Sequence, residues 1–376
     1  MTSPTFATPV NWEGRLLAAV TAALAVFGVA AVYGASSILA VQQGHAGSYY
    51  ALRQLLGVVA GGVLLVVAAR VDYHLWQRLA WPMILAALVV LMIPYVPGLR
   101  VIAPELNGAR RWIRAGPVQL QPSEFAKFAI VAWAAALAAK KGDLVREFKR
   151  GVLPFLVVVG PVCGLILFQP NLSTATLGAI LLGVVLFTAG AKIGHFLLLL
   201  LAAIPIAWHE LTQVQYRLAR VLTFLSTGTD ASETSWQIKQ SLIGMGAGRA
   251  FGVGFGQGLQ KLGYLPLAFS DFIFSTIGEE WGFVGVTVIV VLFALYVWMG
   301  LRIARRAPDR FGMLLASGVT AMIGVTAFLH MAVTVALVPT TGLPLPFVSY
   351  GRSALLVSLF ATGVVVNIGR QAARRR

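Results

Sequence analysis

Residues 271–300 read DFIFSTIGEEWGFVGVTVIVVLFALYVWMG. From Trp281 to Gly300 no side chain carries a charge. A hydrocarbon layer about 30 Å thick is crossed by roughly 20 residues of helix. Inside it, only a helix or a closed barrel can satisfy its own backbone. The stretch therefore predicts a membrane-crossing helix, with Asp271, Glu279 and Glu280 at its head.

Working outward, further apolar runs lie at 16–35, 53–69, 79–96, 123–139, 152–169, 172–190, 193–209, 313–338 and 352–369. Only Ala191 and Lys192 divide the pair at 172–190 and 193–209. With 271–300 the pattern predicts about ten transmembrane helices. The expected fold is all-α, a polytopic integral membrane protein read as one domain over 1–376. The chain is 58% hydrophobic and 11% charged, with mean hydropathy +0.83. Soluble domains carry about 25% charged residues, so a soluble fold is excluded. The single cysteine, Cys163, lies in an apolar run, so neither a disulfide framework nor a cysteine metal cluster is expected. The polar start, Met1 to Arg15, leads into the first run without a clear small-residue cleavage site, which predicts a retained span.

The net charge of +16 comes from 29 Lys+Arg against 13 Asp+Glu. These charges sit mainly in short links between apolar runs, where they set orientation, so no nucleic-acid partner is expected. With an even span count and the N-terminus inside, 17 of the 29 fall in inner segments and 11 in outer ones, Lys127 lying within a span. Both termini are thus expected in the cytoplasm. Two longer outer segments result, at about 96–122 and 210–270. The second, with Trp236, many glycines and the apolar stretch Phe251 to Leu267, predicts a large extracytoplasmic loop folding back on the membrane.

Ionisable groups at membrane depth are costly and suggest function until a partner explains them. Glu124 and Lys127, three apart after Pro122, share a helix face. They read either as a self-neutralised pair or as the lining of a polar cavity. Glu279 and Glu280 read as a cation path, or as anchors for basic residues of other helices such as Lys127. Asp271, at the water–lipid boundary, reads either as a helix N-cap or as a general base whose half-burial tunes its proton affinity. Glycines from Gly244 to Gly258 suit a close backbone approach to a ligand. Lys239, Arg249, Lys261 and the Arg110-Arg111-Trp112 run suit an anion, either a lipid diphosphate or the head groups of membrane lipids. The five histidines show no metal-ligand spacing.

Four blocks go further. Asn107-Gly-Ala-Arg-Arg-Trp-Ile113 with Gln121-Pro-Ser-Glu-Phe-Ala-Lys127 is the first, and Trp236-Gln-Ile-Lys-Gln-Ser241 the second. The third runs from Gln260-Lys-Leu-Gly-Tyr-Leu-Pro266 through Ser270-Asp-Phe-Ile-Phe-Ser-Thr-Ile-Gly-Glu-Glu-Trp-Gly282. The fourth is Pro339-Thr-Thr-Gly-Leu-Pro-Leu-Pro-Phe-Val-Ser-Tyr-Gly351. In wording and order they resemble the SEDS family (FtsW, RodA and SpoVE).

That resemblance implies a ten-span peptidoglycan glycosyltransferase that polymerises lipid II, an undecaprenyl-diphosphate-linked disaccharide-pentapeptide, outside the cytoplasmic membrane. It implies Asp271 as the catalytic residue. Arg110, Arg111, Glu124, Lys127, Lys239, Lys261 and Ser349 are the implied substrate-binding residues. A divalent cation, Mg or Mn, is the implied cofactor candidate, and a class B penicillin-binding protein the implied partner. Gln260-Lys261 and the wording of 107–113 lean to the FtsW-like septal branch over the RodA-like elongation branch. Phe269, Asn171 and Arg352 depart from the family's usual histidine, aspartate and glycine. A lipid II flippase and a non-catalytic division or elongation scaffold stay open as alternatives.

Overall fold

The computed structural model describes residues 12–96, 98, 102–105, 109–115, 118–212 and 233–374. Arg100, Asn107, Gly108, Arg217, Arg220, Arg375 and Arg376 lie outside the described residues. The helices are α1 (Trp12–Gln42), α2 (Tyr49–Arg70), α3 (His74–Arg78), α4 (Ala80–Met92), α5 (Pro122–Lys141) and α6 (Leu153–Phe168). They continue as α7 (Leu172–Thr188), α8 (Ile193–Thr212), α9 (Glu233–Ala247), α10 (Ile273–Arg305), α11 (Arg310–Thr334) and α12 (Arg352–Arg374).

Every expected span is helical. Among the described residues, six helical stretches are able by length and composition to cross a membrane: Trp12–Gln42, Tyr49–Arg70, Phe148–Phe168, Ile273–Arg305, Arg310–Thr334 and Arg352–Arg374. Helices α4, α7 and α8 are apolar but shorter there. The α7–α8 division is a real turn, made at Gly190 with φ +95°. Side chains such as Leu56, Val59, Leu200 and Leu201 project outward and stay exposed. An apolar surface of that extent needs lipid around it.

Helix α5 is central, packing against α4, α7, α11 and α12. Alanines dominate its sequence, and small residues let helix backbones approach closely in lipid, where packing rather than water drives association. The α2–α12 pair is equally close: a Cβ on Gly61 would come within 2.3 Å of Leu359, and one on Gly363 within 2.3 Å of the Leu65 carbonyl.

Contacts between links sort them into two faces. On one face Glu13 pairs with Arg302 and Arg306, and Arg310 donates to the Gly142 and Ala189 carbonyls. There too Asn367 bridges Ala69 and Tyr73, and His74 lies between Asp72 and Asp309. On the other face Arg111 meets the α6–α7 turn, Gln121 meets Ser353, and Gln54 meets Ser349. Glu13 and the end of α12 thus lie on the same face.

Three expectations need correction. The segment around 113–120 adds a two-stranded antiparallel hairpin, Ile113–Ala115 with Val118–Leu120, to the otherwise helical fold. Within the outer segment at 210–270, the described residues fold into α9 and a short turn at Gln260–Leu262. Helix α10 begins at Ile273 rather than Asp271, and its backbone breaks at Gly282 (φ 66°, ψ −162°).

Candidate active site

Asp271 sits on the turn that enters α10. The turn is made at Leu267, a non-glycine residue with φ 56°, whose carbonyl accepts both the Ser270 and the Asp271 N–H at 3.0 Å. Leu265, Ala268 and Phe272 seat this turn against Val333 of α11. The N-cap position of α10 is Phe272, which offers no side-chain acceptor. The helix-cap reading of Asp271 therefore fails on geometry. The carboxylate is half-buried and faces the 339–351 loop, where a Cβ on Gly342 would lie 3.7 Å from Asp271 Oδ2.

That loop is locked to the turn. Ser349 Oγ donates to the Ser270 carbonyl at 2.6 Å and accepts the Leu345 N–H at 2.8 Å. The Tyr350 N–H donates to the Phe269 carbonyl at 3.0 Å. Phe269 itself is buried against Tyr50 and Tyr350, so an aromatic ring fills this position beside the Asp271 turn. Ser349 is buried with its hydroxyl engaged on two backbone groups. Its hydroxyl is thus committed to the backbone of the Asp271 turn and of its own loop.

The glycine-rich segment serves a different purpose from the expected one. The break at Gly282 frees backbone groups of α10 inside the membrane, and these must find partners in protein. The Glu279 and Glu280 carbonyls accept the Val253 and Gly254 N–H groups at 2.9 and 3.2 Å. Beyond the break, Phe283 and Val284 donate to the Arg249 and Ala250 carbonyls. A Cβ on Gly252 (φ +82°) would sit 2.1 Å from the Glu280 carbonyl. The glycines thus let the chain approach its own broken helix.

The two glutamates hold the same segment by their side chains. Glu279 accepts the Leu259 N–H at 2.7 Å and the Gln260 N–H at 3.3 Å. Glu280 accepts the Gly256 N–H at 3.0 Å and pairs with Lys261 at 2.6 Å, both side chains being almost fully buried. Lys261 Nζ also reaches the Gly34 carbonyl at 2.8 Å. Lys261 is therefore a buried clamp and is not available to a diphosphate. The basic partner of Glu280 is Lys261, not Lys127, while Glu279 is held by backbone N–H groups.

Lys127 pairs instead with Glu124 at 2.8 Å, both side chains nearly fully buried. The pair lines a cavity of ≈ 10 Å³ with Thr326, Pro344, Pro346 and Ser358, room for about one water. Arg111 donates Nε to the Gln169 carbonyl at 2.8 Å and Nη2 to the Pro170 carbonyl at 2.6 Å, tying the hairpin to the α6–α7 turn. Next to that turn Asn171 caps α7 by accepting the Thr174 N–H. Arg110 meets Glu105 only at 3.4 Å and stays partly exposed. Lys239 is exposed on α9, which is fastened nearby by Ser275 Oγ donating to the Ser241 carbonyl at 2.8 Å.

Of the expected site residues, the structure brings Ser349 beside the Asp271 turn and assigns Lys261 to the interior. Gln54 went unread in the sequence. It is fully buried and donates Nε2 to the Ser349 carbonyl at 3.1 Å. The available signal was its amide, the one polar uncharged side chain in the run 53–69.

A family model described as a cell cycle protein, covering FtsW, RodA and SpoVE, matches residues 14–374. A probable peptidoglycan glycosyltransferase FtsW of Trichlorobacter lovleyi is 43% identical over 92% of this chain and 90% of its own. The stage V sporulation protein E of Bacillus subtilis is 36% identical over 94% of this chain and 96% of its own. Among solved structures, a chain from a peptidoglycan synthase complex that coordinates polymerization and crosslinking superposes with TM-score 0.77 at 28% identity. It covers 94% of this chain and 97% of that one. The rod shape determining protein RodA of Thermus thermophilus superposes with TM-score 0.67 at 26% identity, covering 94% and 96%.

Proposed function

The chain belongs to the FtsW, RodA and SpoVE family of multi-pass membrane proteins, and we propose that it is a peptidoglycan glycosyltransferase polymerising lipid II. The observation that carries the mechanism is the half-buried Asp271 carboxylate, held off the end of α10 on a turn that a second loop locks in place. In the reaction, Asp271 takes the proton of the acceptor sugar's 4-hydroxyl. The oxygen then forms a bond to the donor's anomeric carbon, and the bond to the diphosphate breaks, releasing the lipid diphosphate. Partly exposed Arg110 and exposed Lys239 are the basic groups proposed to attract that diphosphate. Orientation of reactants and fixed charges near the leaving group supply most of the rate.

The excess of Lys and Arg in the links on the face that carries the chain ends supports a cytoplasmic location for both ends. Asp271 then works outside the cell membrane, within one membrane domain. A class B penicillin-binding protein is the proposed crosslinking partner, and the FtsW and SpoVE relatives support a role in division or sporulation. Among the described residues no three His, Cys, Asp or Glu side chains converge on a metal position. A divalent cation would therefore be held by a lone carboxylate such as Asp271 together with the substrate's own phosphates.

The arrangement favours an enzyme over a flippase. Glu279, Glu280 and Lys127, the groups a transporter would cycle at depth, are each committed to fixed partners. Polymerisation of purified lipid II by reconstituted protein tests the reading. Asp271→Ala is expected to abolish product while leaving the fold intact, and normal polymer from that variant would refute the assignment.

A further inference from the structure

We propose that Ser349 and Gln54 are positioning residues that aim the Asp271 carboxylate through the backbone of the turn before it. The inference rests on Asp271 being the base. The two carbonyls that immediately precede Asp271, those of Phe269 and Ser270, are both held by the 345–350 loop: Tyr350 N–H grips the first and Ser349 Oγ the second. The Ser349 carbonyl is in turn held by Gln54 Nε2, on the first turns of α2. The relay therefore runs from α2, through one serine, to the peptide that carries Asp271.

Each end of the relay has a rigid support. Gln54 stands one turn before Gly57, where a Cβ would already touch Leu355 of α12 at 3.2 Å, and Ser349 stands three residues before α12 begins. Helices α2 and α12 thus present donor and acceptor from a single packed pair. Both joined segments are also held in costly backbone geometry, with Leu267 at φ 56° and Phe347 at φ 67°. Non-glycine residues persist in that region only where the surroundings enforce them. A turn that would otherwise relax is what a locking hydrogen bond is needed for.

Gln54 offers a clean perturbation. Its Oε1 is buried without a hydrogen-bond partner, so Gln54→Leu removes the donor to Ser349 and orphans no further group on residue 54. A displacement near 1 Å at the reacting group costs about 100-fold in rate. Gln54→Leu is expected to lower kcat about 10-fold and Ser349→Ala about 10- to 100-fold, with KM for lipid II unchanged and each protein still folded, its melting lowered only modestly by the backbone group left unpaired. The low-pH limb of the kcat profile should also move in Ser349→Ala, because the environment of Asp271 changes. Ser349→Thr, which keeps the hydroxyl, should recover most of the rate.

The experiment is steady-state lipid II polymerisation by the full-length protein in liposomes, at several pH values, for these variants beside Asp271→Ala. Wild-type kcat in both Ser349→Ala and Gln54→Leu, with Asp271→Ala inactive, would overturn the inference alone. Normal activity in Asp271→Ala would overturn the assignment of the base as well. If rate and thermal stability fall together and Ser349→Thr recovers neither, the relay is structural only and the proposal fails.

Discussion

Replacing Lys261 by Met separates the buried clamp from the anion-binding role that its charge suggests. Its side chain and that of Glu280 are 1% and 2% exposed, so water reaches neither. The substitution deletes two bonds from Nζ, to Glu280 at 2.6 Å and to the Gly34 carbonyl at 2.8 Å. Glu280 keeps the Gly256 N–H at 3.0 Å but has lost its counter-charge. Removing one member of a buried pair costs about 3–5 kcal/mol, mainly because the other charge is stranded. Lys261→Met combined with Glu280→Gln removes that charge and retains an acceptor for Gly256. The double variant should therefore be more stable than Lys261→Met by about 2 kcal/mol. Denaturant unfolding of the purified proteins in mixed lipid–detergent micelles reads both numbers. A Lys261→Met protein that unfolds like wild type but shows a raised KM for lipid II would refute the clamp and restore the diphosphate role.

Other consequences are as direct. Gly252→Ala should destabilise by about 2 kcal/mol or more through the clash with the Glu280 carbonyl and the strained φ, whereas Gly246→Ala, facing open space, should stay within about 0.5 kcal/mol. Thermal melts of the pair test the docking of the glycine-rich segment. Asp72 lies in the link after α2, where the His74 backbone N–H beside it holds its carboxyl down from 3.8 to about 2. A carboxyl lowered by folding contributes stability that is complete above the unfolded value and lost as pH falls through the folded one. Asp72→Asn should therefore be less stable than wild type above pH 4, and the difference should shrink between pH 4 and 2, as followed by unfolding at each pH. Arg110→Ala should raise KM for lipid II with stability unchanged. Arg111→Ala should lower stability by about 1 kcal/mol, since its guanidinium serves the Gln169 and Pro170 carbonyls; binding and unfolding assays on both variants distinguish them.

The sequence by itself determined the class of fold, because a run of some twenty uncharged residues is the length a helix, not a barrel strand, needs to cross lipid with its backbone satisfied. It also determined the alternation of faces, since Lys and Arg accumulate in links on one side, and the pairing of Glu124 with Lys127, whose spacing of three is local helix geometry. Asp271 was legible as a carboxylate at a boundary. Tertiary structure decided what each group touches across long separations. Glu280 chooses Lys261 rather than Lys127 because the break at Gly282 opens α10 to backbone from 249–254 and draws the Gln260–Leu262 turn against it. Helical periodicity describes one element at a time, so it carries no record of a segment docking onto another helix's broken backbone. The same limit hid Gln54, whose partner Ser349 lies 295 residues away. Asp271 ceased to be a helix cap because the Leu267 turn, held by Ser349 and Tyr350, starts α10 two residues later.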